Sequence, residues 1–466
     1  MRINNLGVIN NVNLDFNKIM VFTGENNSGK TYSSYLLYGI ISSLTEDVRF
    51  QLWEEDQFNE ILHELRNGSY KIELTKEEVE NKFYNDAMRF IQENLLAIAI
   101  SNFKLDTCIF DKLKVKINRE DMINICGNLF NYREKTITTG GIEIKLKTTE
   151  TKVTIEFDLI NVNSLDRFLS EKKVITEVLN VNISKSIVTL PKVFYFPAER
   201  NGINVFKNEL NERRLKTYDT LLNTIQFTNL KNKKEKEKKR DELFMNNLEL
   251  LLDGNGTSLY PKPISDYINF LNNMRNDNKK ISNSVSEYIR ANILKGKYEI
   301  DDHDNSVTFR QKFGKNKYKR EAIPFHVVSS SIKSLYGLDY YIDNINNEND
   351  IIIIDEPELS LHPNNQIELA KAIEILVNSG VRVILSTHSD LFVRELINLI
   401  IDNEIKDNES VMVDKNIGIY VFRDKKAEIM DSVFNINYFP NFDESVYKVQ
   451  DKYNDLLEIW EGKNVE

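Results

Sequence analysis

Near the start of the chain, the eight residues GENNSGKT, Gly24 to Thr31, combine two glycines, a lysine and a hydroxyl at a spacing suited to a triphosphate. Glycines let main-chain N–H groups turn inward around phosphate oxygens, and a helix that starts there adds its positive end. Lys30 is expected to reach the β- and γ-phosphates and Thr31 to ligate Mg²⁺, with Gly24, Glu25, Asn26, Asn27, Ser28 and Gly29 forming the cradle. ATP and Mg²⁺ are the expected cofactors. Further on, IIIIDEPELSLHP sets two acids after four isoleucines. Asp355 suits a water-mediated contact to Mg²⁺, and Glu356 suits the general base that orients an attacking water. The plainer alternative, two acids ending a strand at the surface, would leave charge unpaired at the end of a buried run, a costly place for it. His388 in STHSD is expected at the γ-phosphate, the alternative being a histidine satisfied within its loop.

These residues need elements to bring them together. IMVF reads as a short buried strand before the loop and TYSSYLLYGIISSL as the helix after it, the strand–loop–helix context that phosphate binding requires. DIIIID reads as a strand buried on both faces of a parallel sheet. The helix in NNQIELAKAIEILVNSG follows, with Gly380 placed to cap its C-terminus, and VRVILSTHSD is the next strand. Ligands gather where the strands of such sheets end, so Asp355, Glu356 and His388 should share one rim. Between about residues 46 and 180, helical stretches alternate with period-two strands such as GIEIKLK and KVTIEFDLI. KVFYF then leads into PAERNG, where Glu199 and Arg200 contact nucleotide, metal or a neighbouring subunit, or else form a polar turn. A mostly polar, helix-favouring stretch follows and contains the charge run KNKKEKEKKR, Lys231 to Arg240. A solvated segment is the default for that run, with DNA contact the minority reading.

Composition excludes several classes. The chain has 466 residues, 41% of them hydrophobic and 28% charged, with a formal net charge of -10. These are globular values, and the negative balance argues against a protein that coats nucleic acid with its whole surface, though a local basic groove stays open. Two cysteines, Cys108 and Cys126, make neither a disulfide scaffold nor a zinc pair; both thiols are expected to be buried, in a reducing cytoplasm. The N-terminal stretch lacks the apolar core of a signal peptide, and no apolar run reaches the roughly 20 residues of a membrane helix, so no membrane partner is expected.

The order of the motifs, GENNSGKT, then VSSSIKSL, then IIIIDEPELSLHP, then STHSD, resembles the ABC-class ATPase heads of chromosome-maintenance and recombination proteins. The wording FPAERNG, DEPELSLHP and FPNFDESVYK is most similar to the OLD-like (overcoming lysogenization defect) AAA-family ATPases, many of which serve bacterial anti-phage systems. The resemblance covers the first 45 or so residues and most of the chain after Lys192. It implies an α/β fold: an ABC-type P-loop ATPase head, a mixed sheet flanked by helices, spanning 1–45, 181–204 and 301–466. An inserted α+β lobe would fill 46–180 and a helical arm lobe 205–300.

The resemblance also implies roles residue by residue. Ser329 and Ser330 would approach ATP in trans from a partner, with Lys333 at a basic position and Ser330 and Ser331 where the family has paired glycines. Ser360 and His362 would lie near the partner's nucleotide, His388 would be the switch histidine, and Glu199 falls where a glutamine is usual. ATP would be sandwiched in a homo-oligomer, at least a dimer. Some OLD-like proteins carry a nuclease domain after the head, but the 76 residues after Asp390 show no such element. The expectation is therefore an ATP-hydrolysing sensor of an anti-phage module that controls an effector in trans, a nuclease encoded nearby. A DNA repair or recombination ATPase that clamps DNA is the alternative.

Overall fold

The computed structural model describes residues 1–48, 50–65, 68–126, 134–139, 142–161, 172–207, 209–210, 260–274, 284–301, 306–314, 318–344, 347–406, 409–430, 432–436 and 439–463. Its strands are β1 (Arg2–Leu6), β2 (Ile9–Asn13), β3 (Ile19–Gly24), β4 (Tyr70–Thr75), β5 (Lys114–Lys116), β6 (Glu134–Thr139), β7 (Ile142–Thr148), β8 (Lys152–Leu159), β9 (Val193–Phe196), β10 (Gly296–Ile300), β11 (Val307–Gln311), β12 (Ile323–Pro324), β13 (Ile351–Asp355), β14 (Arg382–Thr387), β15 (Ile417–Arg423) and β16 (Lys426–Ile429). Its helices are α1 (Lys30–Glu46), α2 (Glu55–Glu64), α3 (Lys76–Phe103), α4 (Arg119–Cys126), α5 (Lys172–Ile187), α6 (Lys262–Asn272), α7 (Ser284–Ile289), α8 (Ser330–Asn344), α9 (Pro363–Asn378), α10 (Asp390–Lys406) and α11 (Pro440–Lys463).

Nine strands form one mixed sheet in the order β5-β1-β2-β16-β15-β3-β14-β13-β9. The five from β15 to β9 run parallel. Their unbroken apolar runs follow from burial on both faces. Ile351 and Ile353 of β13 point into the cluster on one side, with Met20 and Phe22 of β3, whereas Ile352 and Ile354 join Ile19 and Val21 in the cluster on the other. The expected mixed α/β sheet flanked by helices is thus the observed architecture.

The inserted segment forms its own antiparallel sheet, β4-β8-β7-β6. Its inward residues Ile144, Leu146, Ile155 and Phe157 belong to the same core cluster as Leu36, Ile40 and Ile353. Strand β5 from this segment also extends the large sheet beside β1. The start of α3 is fixed locally, because the Thr75 hydroxyl accepts the Glu78 N–H at 3.2 Å while the Glu78 carboxylate accepts the Thr75 N–H at 2.7 Å, a reciprocal cap.

One feature differs from the sequence-based expectation. Cys126 is buried, but Cys108 is exposed. It stands in a single 3-10 turn, Thr107–Ile109, none of whose residues is buried, and only the following Phe110 enters the core. Helix α1 is not amphipathic in its surroundings, since its residues from Ser33 to Leu44 are buried on all sides. The charge run Lys231 to Arg240 lies outside the described residues. Among the described residues, no helix is long and apolar enough to cross a membrane.

Candidate nucleotide-binding site

The parallel register fixes where the candidate residues end up. Asp355 of β13 lies beside Ser386 of β14, and Thr387 of β14 lies beside Thr23 of β3. The C-terminal ends of three adjacent strands therefore deliver the GENNSGKT loop, the acid pair and His388 to one rim, as expected for ligands of such sheets.

The loop holds its shape through main-chain conformations that favour glycine. Gly24 has φ +145°, and a Cβ there would lie 2.3 Å from the Phe422 carbonyl oxygen. Gly29 has φ +107° and opens α1 with no side-chain cap, so the first N–H groups of the helix face the loop unblocked. Glu25, Asn26 and Asn27 are exposed around it and Ser28 is half-buried. Lys30 is buried, and its Nζ donates to the carbonyls of Gly24 (2.9 Å) and Glu25 (2.7 Å) and to Ser28 Oγ (3.4 Å). Burial pushes the Lys30 ammonium down to about 8, against the opposing pull of Asp355, Glu356, Glu358 and Glu25. The ammonium thus stands at the mouth of the loop amid carboxylates, where a phosphate group is the natural exchange partner for the loop carbonyls.

Asp355 is 6% exposed. Its carboxylate accepts from Ser386 Oγ and, at 3.4 Å, from Thr31 Oγ1. Burial raises it to about 6, with help from the charges of Glu356 and Glu199 and against the Ser386 bond. A buried acid raised in this way, with one threonine hydroxyl beside it, fits Mg²⁺, which takes one or two protein oxygens and completes its shell from water and substrate phosphates. Among the described residues, no group of three or more His, Cys, Asp or Glu that could hold a metal ion occurs. Glu356 follows on a left-handed turn, φ +48°, held by its N–H donating to the Ser386 carbonyl at 2.8 Å. His388 N–H donates to Glu358 Oε1 at 2.8 Å. Burial and the nearby Lys30 charge lower the imidazole, leaving it neutral at pH 7 and able to donate from one nitrogen and accept at the other.

The serines of VSSSIKSL lie elsewhere. Ser329 and Ser330 are exposed at the start of α8, and the Ser329 and Ser331 hydroxyls bond each other at 2.9 Å. Ser360 is exposed with φ +63° and accepts from Asn201 Nδ2 at 3.0 Å. His362 caps α9, its Nδ1 accepting the Asn364 N–H at 3.3 Å.

Two residues were undervalued by sequence reasoning. Glu358, the third acid of DEPELS, ties the acid loop to the His388 loop, and its own acidity is weakened by burial. Arg200 is 2% exposed, so the side chain after KVFYFPAE does not lie on a polar surface turn but fills the interior beneath the site. Its Nη1 donates to the carbonyls of Asp355 (2.6 Å) and Pro197 (3.0 Å), and its Nη2 to that of Glu356 (2.6 Å). Glu199 is exposed at the rim, close enough for its charge to raise Asp355. An arginine that follows a buried strand by a few residues carries no periodic signal, so only the tertiary contacts reveal it.

With this geometry in place, a family comparison decides the class. The model of the AAA ATPase domain, AAA_15, matches residues 1–393. The chain belongs to that family. Like other members of the AAA ATPase domain family, it is an ATPase, and the matched span contains every motif described above from Gly24 to Asp390. Similar solved structures include the Smc head domain with an extended coiled coil bound to the C-terminal domain of ScpA, from Pyrococcus furiosus. It is 11% identical, with 97% of this chain and 98% of that chain covered and a TM-score of 0.32. A second, the SmcHead bound to the C-winged helix domain of ScpA, is 12% identical, with 92% and 96% covered and a TM-score of 0.31. These superpositions are loose, and the architecture above rests on the strand order of the chain itself. No curated protein matches.

Proposed function

We propose that this ATPase hydrolyses ATP with Mg²⁺ at a site shared between two copies of the chain. The observation that carries the reading is the convergence of Lys30, Thr31, Asp355, Glu356 and His388 at one sheet rim, over a glycine loop that opens α1. Lys30 and the N–H groups of residues 24–31 bind and orient the β- and γ-phosphates. Thr31 and Asp355 are the residues that would hold Mg²⁺, which supplies neutralisation of phosphate charge when bound. Glu356 takes a proton from the attacking water as oxygen bonds to the γ-phosphorus and the bond to the β-phosphate oxygen breaks, releasing ADP and phosphate. His388, held neutral, donates to the γ-phosphate, and the exposed Ser329 and Ser330 complete the partner's site. Steady-state hydrolysis tests this directly. Lys30→Ala is expected to lose nucleotide binding and Glu356→Gln to retain ATP without turning it over; normal turnover in either variant refutes the assignment.

The biological role we infer is control of an effector, a nuclease, supplied by another protein of an anti-phage module. Support comes from the OLD-like wording of FPAERNG, DEPELSLHP and FPNFDESVYK, and from nucleotide-driven closure being a natural conformational signal. The test is affinity purification of the Glu356→Gln chain with ATP and Mg²⁺, expressed with its native neighbouring genes. A stoichiometric protein partner without DNA supports effector control. DNA without a protein partner overturns it in favour of a DNA clamp.

A further inference from the structure

The segment that follows β9 touches both halves of the proposed machinery, and one side chain does most of the touching. Arg200 spreads its guanidinium over four main-chain carbonyls. Three belong to its own turn and the acid pair: Pro197 at 3.0 Å, Asp355 at 2.6 Å and Glu356 at 2.6 Å. The fourth, accepted from Nε at 3.1 Å, is Ser334 in the opening turns of α8. Two neighbours reinforce the same bridge. Asn204 Nδ2 donates to the Lys333 carbonyl of α8 at 2.7 Å, while its Oδ1 accepts from Tyr267. Asn201 Nδ2 donates to Ser360 Oγ, beyond the acid pair, at 3.0 Å.

A buried guanidinium is an expensive means of holding a turn. Its charge is removed from water, and its bonds run to carbonyls and not to a carboxylate that would neutralise it. What the rigid fork provides is fixed geometry between separate backbone segments. On one side it grips the left-handed turn at Glu356, a conformation that persists only where its surroundings hold it. On the other it grips the helix whose exposed first residues are Ser329 and Ser330.

We propose that Arg200 is a positioning residue that locks the Glu356 turn to the opening of α8, so that occupancy of one nucleotide site is transmitted to the serines offered to the partner's site. This rests on the shared-site ATPase reading above. Arg200 touches no substrate; it acts through Glu356 on one side and Ser329 on the other.

The experiment compares full-length wild type, Arg200→Lys and Asn204→Ala for thermal midpoint, affinity for a fluorescent ATP analogue with Mg²⁺, kcat, and the Hill coefficient for ATP. A lysine has one ammonium in place of the fork and cannot bridge the same carbonyls. For Arg200→Lys, nucleotide affinity is expected to stay within about threefold of wild type. Its kcat should fall by about 100-fold, the scale of a misplacement near 1 Å. The Hill coefficient should drop from about two toward one. A folded Arg200→Lys with wild-type kcat and Hill coefficient overturns the proposal, because a merely structural role moves only the melting temperature. Should that variant fail to fold, Asn204→Ala decides, since it keeps the Arg200 grip on Asp355 and Glu356 and weakens the bridge at its α8 end by releasing the Lys333 carbonyl, along with the Tyr267 hydroxyl. A reduced Hill coefficient supports the link and an unchanged one overturns it. A wild type that binds no nucleotide refutes the ATPase reading itself, before any variant is compared.

Discussion

Lys30 concentrates the chemistry of the site in one ionisation. A lysine ordinarily stays charged well above neutrality, but burial brings this one down to about 8. A base with a lowered pKa keeps its charge below that value and loses it as pH rises through it. Nucleotide affinity should therefore be full below pH 8 and fall above it, and Lys30→Arg, whose guanidinium stays charged, should flatten the decline. Titration of a fluorescent nucleotide on both sides of pH 8 checks this, and an affinity that rises with pH contradicts it. The two thiols give a second contrast. Cys108 is exposed, whereas burial pushes the Cys126 thiol up to about 12. Alkylation of the native protein should modify Cys108 alone, and unfolding should release Cys126, as read by mass spectrometry of the peptides.

At the scale of elements, α1 must fix the GENNSGKT loop that opens it, and it does so by being packed on every side. Its tightest approach is Gly39, where a Cβ would fall 2.0 Å from Nδ2 of Asn102 on α3. Asn102 is fully buried and already bonded to the Ile98 carbonyl, so it has nowhere to retreat. Gly39→Ala should cost about 1–3 kcal/mol by overpacking. The double variant Gly39→Ala with Asn102→Ala should regain most of that loss, because the clash and its target are removed together. Urea unfolding of the single and double variants measures the coupling, and strictly additive losses would show that the two helices do not meet as described. The strand elements were readable from local pattern, since IIII before two acids and VILST before histidine are short, β-branched apolar runs suited to strands buried on both faces. The all-round burial of α1 was not readable, because its far face is covered by α3, whose own sequence gives no indication of what it packs against.

For the whole molecule, the decisive question is whether one chain holds a complete site. The rim at β3, β14 and β13 lacks Ser329 and Ser330, which stand exposed at the start of α8. Under the shared-site proposal, Lys30→Ala and Ser329→Arg chains are each inactive alone. Mixing them should restore hydrolysis, because a mixed pair contains one intact loop facing one intact serine. Absence of any recovery in well-mixed samples would place the whole reaction within one chain. Sedimentation of Glu356→Gln with and without ATP gives the companion result, with dimer expected only with nucleotide.

The sequence by itself determined the class of this protein. GENNSGKT suggests a phosphate loop without reference to any partner, since glycine freedom, a lysine and a helix start act over eight consecutive residues, and the acid pair and STHSD are likewise local. Strand alternation at β13 and β14 then made their meeting at one rim a consequence of parallel pairing. Tertiary structure alone decided the rest. It put Arg200 beneath the acid pair, where three of the four carbonyls it holds lie 134 to 156 residues away along the chain. It joined the inserted sheet to the core of the large one, and it left Cys108 in solvent. For Arg200 and the inserted sheet the deciding partners lie far along the chain, and a contact set by packing leaves no period or motif in the residues that make it.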